Sequence, residues 1–190
     1  MSVETTTEPA PGLPVWPIEP EPVDPTAATY LIIAIGTDPA TAEVARSWVA
    51  AAEHRAPTRL VVADGVESDA AGHDSAGIGR ADIVTALQAA RVGVRIMVVG
   101  GQYDVLTTLA IARARGAGEA ELRCFVIDAE APTVDLPVYC AHCRATHRMH
   151  TSPGGSAVCP GCGRRLEVHE HHSAARGSFL ASDAEARDLR

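Results

Sequence analysis

VRIMVVGGQYDVLTTLAIARARGAGEAELRCFVID, residues 94–128, passes from an apolar β-branched run through a glycine pair into a helical pattern. Gly116 and Gly118 then lead it into another short apolar run. VRIMVVGG (94–101) reads as a buried strand, YDVLTTLAIARARG (103–116) as a helix and ELRCFVID (121–128) as the next strand. A strand that shows no polar alternation must be covered on both faces, which is the mark of a parallel sheet.

The same texture extends upstream. TYLIIAIG (29–36) is a continuous apolar run stopped by glycine, and TRLVVADG (58–65) is another. Between them PATAEVARSWVAAAEH (39–54) places Val44, Trp48, Val49 and Ala52 at helical spacing. VESDAAGHDSAGIG (66–79) is expected to be loop. RADIVTALQAARVG (80–93) is expected to be an amphipathic helix with Ile83, Leu87 and Ala90 on one face. Strands alternating with helices of this length predict right-handed βαβ units. The expected fold is therefore α/β, a small Rossmann-like doubly wound parallel sheet over residues 29–132.

Such sheets bind ligands beyond the carboxyl ends of their strands. Those ends are Gly36-Thr37-Asp38, Asp64-Gly65 and Gly100-Gly101. Gly36, Gly100 and Gly101 are the candidate cofactor-binding positions. The pair at 100–101 could cradle a phosphate at the next helix N-terminus, or could simply make a tight strand-to-helix turn. Only one glycine follows the first strand, so the dinucleotide fingerprint is missing. Residues 96–128 resemble the last βαβ unit of the nicotinamide-binding lobe of ferredoxin-reductase-type flavoproteins. Gly100 and Gly116 match that unit in place, while its cysteine before the turn and its proline after it are absent.

Seven prolines stand in residues 1–28, with acids between them and Trp16 alone. That composition predicts an extended, flexible arm that is largely solvated. The alternative is an arm that lays Trp16 into a partner's pocket. No apolar run reaches the roughly 20 residues of a membrane span. The first residues lack the basic and apolar regions of a secretory signal. A soluble, cytoplasmic protein is expected.

All 16 basic residues are arginine. Residues 1–136 carry 9 Arg against 19 acids, a charge of −10, while residues 137–177 carry 5 Arg against 2 acids, a charge of +3. An acidic body argues against broad nucleic-acid binding, which draws on phosphate neutralisation. No hydrolytic constellation is visible, and no catalytic residue is assigned. His54 and His73 read as surface histidines, and Cys124 as an inert buried thiol.

The strongest chemical signal lies beyond the sheet. Cys140 and Cys143, then Cys159 and Cys162, form a C-x2-C-x15-C-x2-C pattern. Two knuckles of this spacing complete a tetrahedron of thiolates around zinc, a closed structural site. THRMHTSPGGSAV between them reads as two short strands joined by a turn at Ser152–Gly155. RLEVH (165–169) supplies a third strand. A four-cysteine zinc ribbon over residues 133–176 and a tail over 177–190 complete the expected domain plan.

CPGCG (159–163) also suits a rubredoxin knuckle holding iron, but Arg144 stands where the first such knuckle has glycine. Arg144, Arg164 and Arg165 adjoin the centre and could offset its formal −2. With four cysteines saturating the metal, His169, His171 and His172 are expected to be a polar cluster facing solvent or a partner. In the tail, Phe179 and Leu180 follow Gly177. They are expected either to fold back or to anchor in a partner subunit, and a chain cut after Ser173 is expected to stay folded and zinc-loaded but to assemble less well with partner subunits.

PVYCAHCRATHRM (137–149) and VCPGCGRRLEVHEHHSAARGSFL (158–180) resemble the C-terminal region of the small A subunit of dimethylamine monooxygenase, the DmmA-like family. The shared features are the four cysteines, Gly163-Arg164-Arg165-Leu166, and the histidine-serine stretch leading to Ala174, Arg176, Gly177 and Phe179. The resemblance implies an accessory zinc-binding subunit of a multicomponent oxygenase. In that system a haem-containing catalytic subunit converts dimethylamine to methylamine and formaldehyde. A reductase with flavin and an iron–sulfur cluster delivers electrons from NADPH, and this chain would bridge the two.

Two rival readings stay open from the residues alone. One is a stand-alone ribbon module that binds RNA or protein through Arg148, Arg164, Arg165 and Arg176. The other is a rubredoxin-like electron carrier.

Overall fold

The computed structural model describes residues 12–66 and 78–186. Its first half holds β1 (Thr29–Ile35), α1 (Pro39–Glu53), β2 (Thr58–Ala63), α2 (Ile78–Ala89), β3 (Val94–Gly100), α3 (Gln102–Ala114) and β4 (Leu122–Val126). The four strands form one parallel sheet in the order β2-β1-β3-β4. The chain moves one way from β1 to β2, then back across β1 to β3 and on to β4. Right-handed crossovers therefore put α1 on one face and α2 with α3 on the other.

The packing follows this plan. Tyr30, Ile32 and Ala34 pack against Trp48 and Ala52 of α1, while Leu31, Ile33 and Ile35 meet Ile83 and Leu87 of α2 and Val105 and Leu109 of α3. The period-two alternation is present, but both faces are buried, so the sequence shows an unbroken apolar run. Local signals set the ends. Gly36, Gly93 and Gly116 all take the left-handed conformation. Asp38 caps α1 by accepting from the amide of Ala40 at 2.8 Å, with Pro39 in the first turn.

The boundary between the expected loop and the next helix lies slightly earlier than its sequence suggests. Helix α2 begins at Ile78 rather than Arg80, and residues 67–77, with His73, lie outside the described residues.

The second half is richer than a three-stranded ribbon. It holds β5 (Val134–Cys140), β6 (Ala145–Thr151), β7 (Ser156–Val158), β8 (Arg165–Ser173) and β9 (Ser178–Asp183), in the sheet order β6-β5-β9-β8-β7. The segment read as a tail is thus the central strand. It runs parallel to β5, with Val138 opposite Phe179, and antiparallel to β8, with His172 opposite Phe179. Phe179 is 1% exposed among Leu136, Val138, Leu166 and Val168. The physical reason is the small core. Without Phe179 these aliphatic side chains would face water, so the chain closes on itself.

The arm also differs from the solvated leader that its prolines predict. Residues 1–11 lie outside the described residues, but 12–28 strap both halves. Trp16 packs against the clusters of both sheets, and Val23 is buried. Trp48 Nε1 donates to the Glu21 carbonyl at 2.9 Å, and Arg95 pairs with Asp24 at 2.6 Å. Arg123 pairs with Glu21 at 2.9 Å, and the amide of His172 donates to the Gly12 carbonyl. Proline keeps this strap extended with few donors of its own. Its carbonyls and acids are then free to receive bonds from the body.

Helix α3 joins the halves. Leu106 belongs to the core of the second sheet, and Gly177 in the β8–β9 turn lies directly on α3, where a Cβ would collide with Ala110. Arg148 of β6 pairs with Asp104 of α3 at 2.7 Å and lies over the Tyr103 ring at 4.0 Å.

Candidate metal centre

Each cysteine pair sits where a strand turns into a tight loop. Cys140 ends β5 and Cys143 precedes β6, while Cys159 follows β7 and Cys162 precedes β8. After each second cysteine the backbone reverses through the left-handed region. Gly163 does so at φ 72° and Arg144 at φ 55°. Arg144, whose bulk at the first knuckle's glycine position weighs against a rubredoxin-like centre, thus takes the glycine's conformation all the same. It bears a strain of roughly 1–2 kcal/mol.

The four Sγ atoms lie within 4.8 Å of one another and could hold a metal ion. Cys140 and Cys162 sulfurs are 3.7 Å apart, as are those of Cys143 and Cys159. Disulfide bonding needs about 2.05 Å, so these are free thiols. Four sulfurs at about 2.3 Å from one tetrahedral ion stand about 3.8 Å apart, so the cage has the size of such an ion.

Cys140 and Cys159 are fully buried. Burial pushes the Cys140 thiol up, but amides of Cys143 and His142 donating to its sulfur outweigh that and bring it to about 7. Those amides favour a thiolate. Among the described residues no other group of histidines, cysteines and acids converges in this way.

One neighbour escapes a reading of the sequence. His147, 7% exposed, places Nε2 3.2 Å from the Cys143 sulfur. A thiolate only accepts, so Nε2 carries the proton and donates when Cys143 is ionised. Gly161 makes room, because a Cβ there would stand 2.7 Å from the imidazole. A signal for it exists: along β6, residues 147, 149 and 151 are buried and alternate with exposed 148 and 150.

The flanking arginines have separate engagements. Arg164 pairs with Asp183, and Arg165 reaches the Ser156 hydroxyl at 3.3 Å. Arg148 is held by Asp104 and by Asp135, the latter at 3.3 Å. The histidine stretch does not form one solvent-facing cluster. His171 is exposed, but His172 turns inward beneath the strap, its ring 5.3 Å from that of Phe179. Burial, then the charges of Arg113 and His171, lower His172 to about 4.

At the carboxyl ends of the parallel strands the three candidate glycines have packing duties. Gly36 ends β1 at φ 105°. A Cβ on Gly100 would lie 2.6 Å from the Ile35 carbonyl oxygen. Gly101 caps α3, where the amide of Gln102 donates to the Asp128 carboxylate at 2.9 Å. Asp104, also in the first turn, accepts from the amide of Val66 at 2.9 Å. Two carboxylates therefore stand on the α3 N-terminus. Burial raises both from their ordinary value. Cys124, pushed up to about 11 by burial, is a poor nucleophile, and His54 is exposed at the end of α1.

No helix among the described residues is long and apolar enough to cross a membrane. No solved structure matches the chain. Its similarity to the "Heme-dependent oxidative N-demethylase delta subunit" of Ectopseudomonas mendocina (strain ymp) is 36% identity over 102 residues. The match covers 54% of this chain and 55% of that protein, so it spans about half the length of each. Residues 137–181, which contain both knuckles, β6 to β8 and the buried start of β9, match the family described as "Dimethylamine monooxygenase subunit DmmA-like, C-terminal domain". The resemblance carried by the four cysteines thus holds over residues 137–181, which are similar to the C-terminal domain of DmmA-like subunits.

Proposed function

We propose that the chain is an accessory subunit of a multicomponent amine monooxygenase, built from a Rossmann-like sheet domain and a zinc ribbon. The observation that carries the assembly reading is its 36% identity to a delta subunit of a haem-dependent N-demethylase. In this reading the haem subunit oxidises an N-methyl group of dimethylamine, giving methylamine and formaldehyde. Electrons come from NADPH through a reductase with flavin and an iron–sulfur cluster. This chain bridges the two in the cytoplasm and supplies surface rather than chemistry.

Cys140, Cys143, Cys159 and Cys162 would hold one Zn²⁺, supported by the 3.7 Å sulfur separations. Four thiolates fill a tetrahedral ion and leave no position for substrate, so the metal's contribution is to folding. The internal pairing of Arg148 and Arg164 weighs against a nucleic-acid module, because those charges already have carboxylate partners.

The test is purification of the natively expressed chain with identification of what comes with it. A co-eluting haem protein with a Soret band and a flavoprotein is the expected result. A chain that elutes alone under gentle conditions would sink the assembly reading. The isolated chain should be colourless with one zinc per chain by mass spectrometry. Visible thiolate–iron absorption would instead assign the rubredoxin-like alternative, for which the left-handed Arg144 supplies a matching knuckle.

A further inference from the structure

A concavity with no role in the metal centre lies between α3, the first cysteine knuckle and the β8–β9 turn. Its volume is about 560 Å³, within the usual span of small-molecule sites. Four arginines, Arg80, Arg115, Arg144 and Arg176, line it, and among the described residues no aspartate or glutamate does. In a chain of net charge −8 that arrangement is an outlier.

The bland explanations cover only part of it. Arg115 follows the last turn of α3, where a cation suits the helix dipole. Arg144 adjoins the thiolate cage, whose formal −2 it could offset. Even if that whole charge is counted against the pocket, one positive charge remains among Arg115, Arg144 and Arg176. Arg115, Arg144 and Arg176 meet no carboxylate among the described residues. By contrast Arg95, Arg113, Arg123, Arg148 and Arg164 all do.

Two of these arginines are also held in place. Arg176 lies over the Tyr139 ring at 4.1 Å. Arg115 Nη1 donates to the Ile111 carbonyl at 3.3 Å. Guanidinium groups fixed in this way lose little freedom on meeting an anion, and their planar donors match phosphate oxygens in pairs. The walls come from four separate elements and enclose a cup rather than a long groove, which fits a compact ligand better than an extended peptide.

We propose that this cup is a binding site for a small phosphate-bearing polyanion of the diphosphate class, independent of the oxygenase assignment. The ligand's charged oxygens sit among Arg115, Arg144 and Arg176, with Arg80 at the rim from α2. Thr146 adds a hydroxyl from the β6 side.

The test is titration of the full-length, metal-loaded chain by calorimetry at low ionic strength, with inorganic pyrophosphate and ADP as the two probes. A stronger response to ADP would place a nucleoside in the cup, and equal responses would limit recognition to the phosphates. Either supports the site. The Arg144→Gln/Arg176→Gln double variant should weaken binding at least tenfold. Arg46→Gln/Arg55→Gln, on exposed positions of α1 and just beyond it, should change it less than twofold. Should the first double variant lose its metal, Ala114→Glu takes its place. It adds an acid at an exposed helical position in the wall, leaves every arginine intact and should also cost at least tenfold. The proposal is overturned if neither probe saturates, or if the α1 control loses as much as the pocket variants. Tighter binding of an octaglutamate peptide than of either probe also overturns it, in favour of an acidic protein partner.

Discussion

Replacing Phe179 with alanine tests whether β9 is a core strand or an appendage. An aromatic side chain buries on the order of 150–250 Å², and Phe179 is 1% exposed. At about 25 cal/mol per Å² the transfer contribution is about 4–6 kcal/mol, less the small share that alanine keeps. Measured Phe→Ala changes in cores run at about 3–5 kcal/mol, in the same range.

The site has little freedom to collapse. Leu136, Val138, Leu166 and Val168 are each held in neighbouring strands, and the β8–β9 turn is pressed against Ala110. A loss of at least about 3 kcal/mol is therefore expected. With a urea dependence of about 1–3 kcal/mol per M, the midpoint should fall by about 1–3 M. Leu180→Ala, at a half-buried position on the other face, should cost less than half as much. Equilibrium urea unfolding of the metal-loaded chain, followed by circular dichroism and by metal release to a chelator, reads both effects. A chain ending at Ser173 should lose its metal and its C-terminal sheet together. The reasoning fails if Phe179→Ala moves the midpoint by less than about 0.5 M, or if the shortened chain keeps its metal.

Three further outcomes follow from the geometry. His147→Ala should weaken metal retention by about 10- to 100-fold in a chelator competition, because it removes the donor to Cys143 while leaving all four sulfurs in place. Arg144→Gly should raise stability by about 0.5–1 kcal/mol in thermal unfolding, since relief of left-handed strain exceeds the extra freedom of glycine in the unfolded chain. His172 has a folded pKa of about 4 against an ordinary 6.5, so the unfolded chain binds the proton more readily. Its stabilisation is full above pH 6.5 and is lost as pH falls from 6.5 to 4. After allowance for partial exposure it amounts to about 2 kcal/mol. His172→Phe should flatten the stability profile in that window, and an unchanged slope would show that the imidazole is not buried neutral.

The elements legible in the sequence are those whose signals are local. β1 to β4 announce themselves as apolar runs ended by glycine or a loop. The knuckles announce themselves by cysteine spacing, because two residues between cysteines have few ways to aim both sulfurs together. β5 and β9 are illegible for a different reason. Pro137 sits inside β5 and reads as a strand breaker, yet β9 joins β5 only from Val138 onward, leaving Pro137 outside that ladder. β9 buries Ser178, Phe179 and Ala181, a pattern without period-two alternation. Its parallel partner lies far upstream, with Val138 opposite Phe179, so no local rule pairs them. Trp16 is hidden by its own surroundings. Its proline-rich context matches a solvated linker, and only the apolar seam between two sheets explains its burial.

The same seam bears on whether this chain is two domains or one. Nine of the 13 residues of α3 are buried, far more than the single stripe that one packing partner requires. Val105 and Leu109 face the parallel sheet while Leu106 faces the C-terminal one, and Arg148 from β6 lies across Tyr103 and Asp104. A helix covered on both sides belongs to both cores. Loss of the C-terminal sheet would expose Leu106 and the Tyr103 ring and leave Asp104, already raised by burial, without its arginine. The parallel sheet keeps its own cluster around Ile33 and Val98, but α3 would then be stabilised from one side only. If the cysteines hold a metal as proposed, its binding and the ordering of α3 are linked through this contact. The arginine cup lies across that joint, with walls from α3, the first knuckle and the β8–β9 turn. A ligand held there would bridge the two sheets and favour the folded C-terminal sheet.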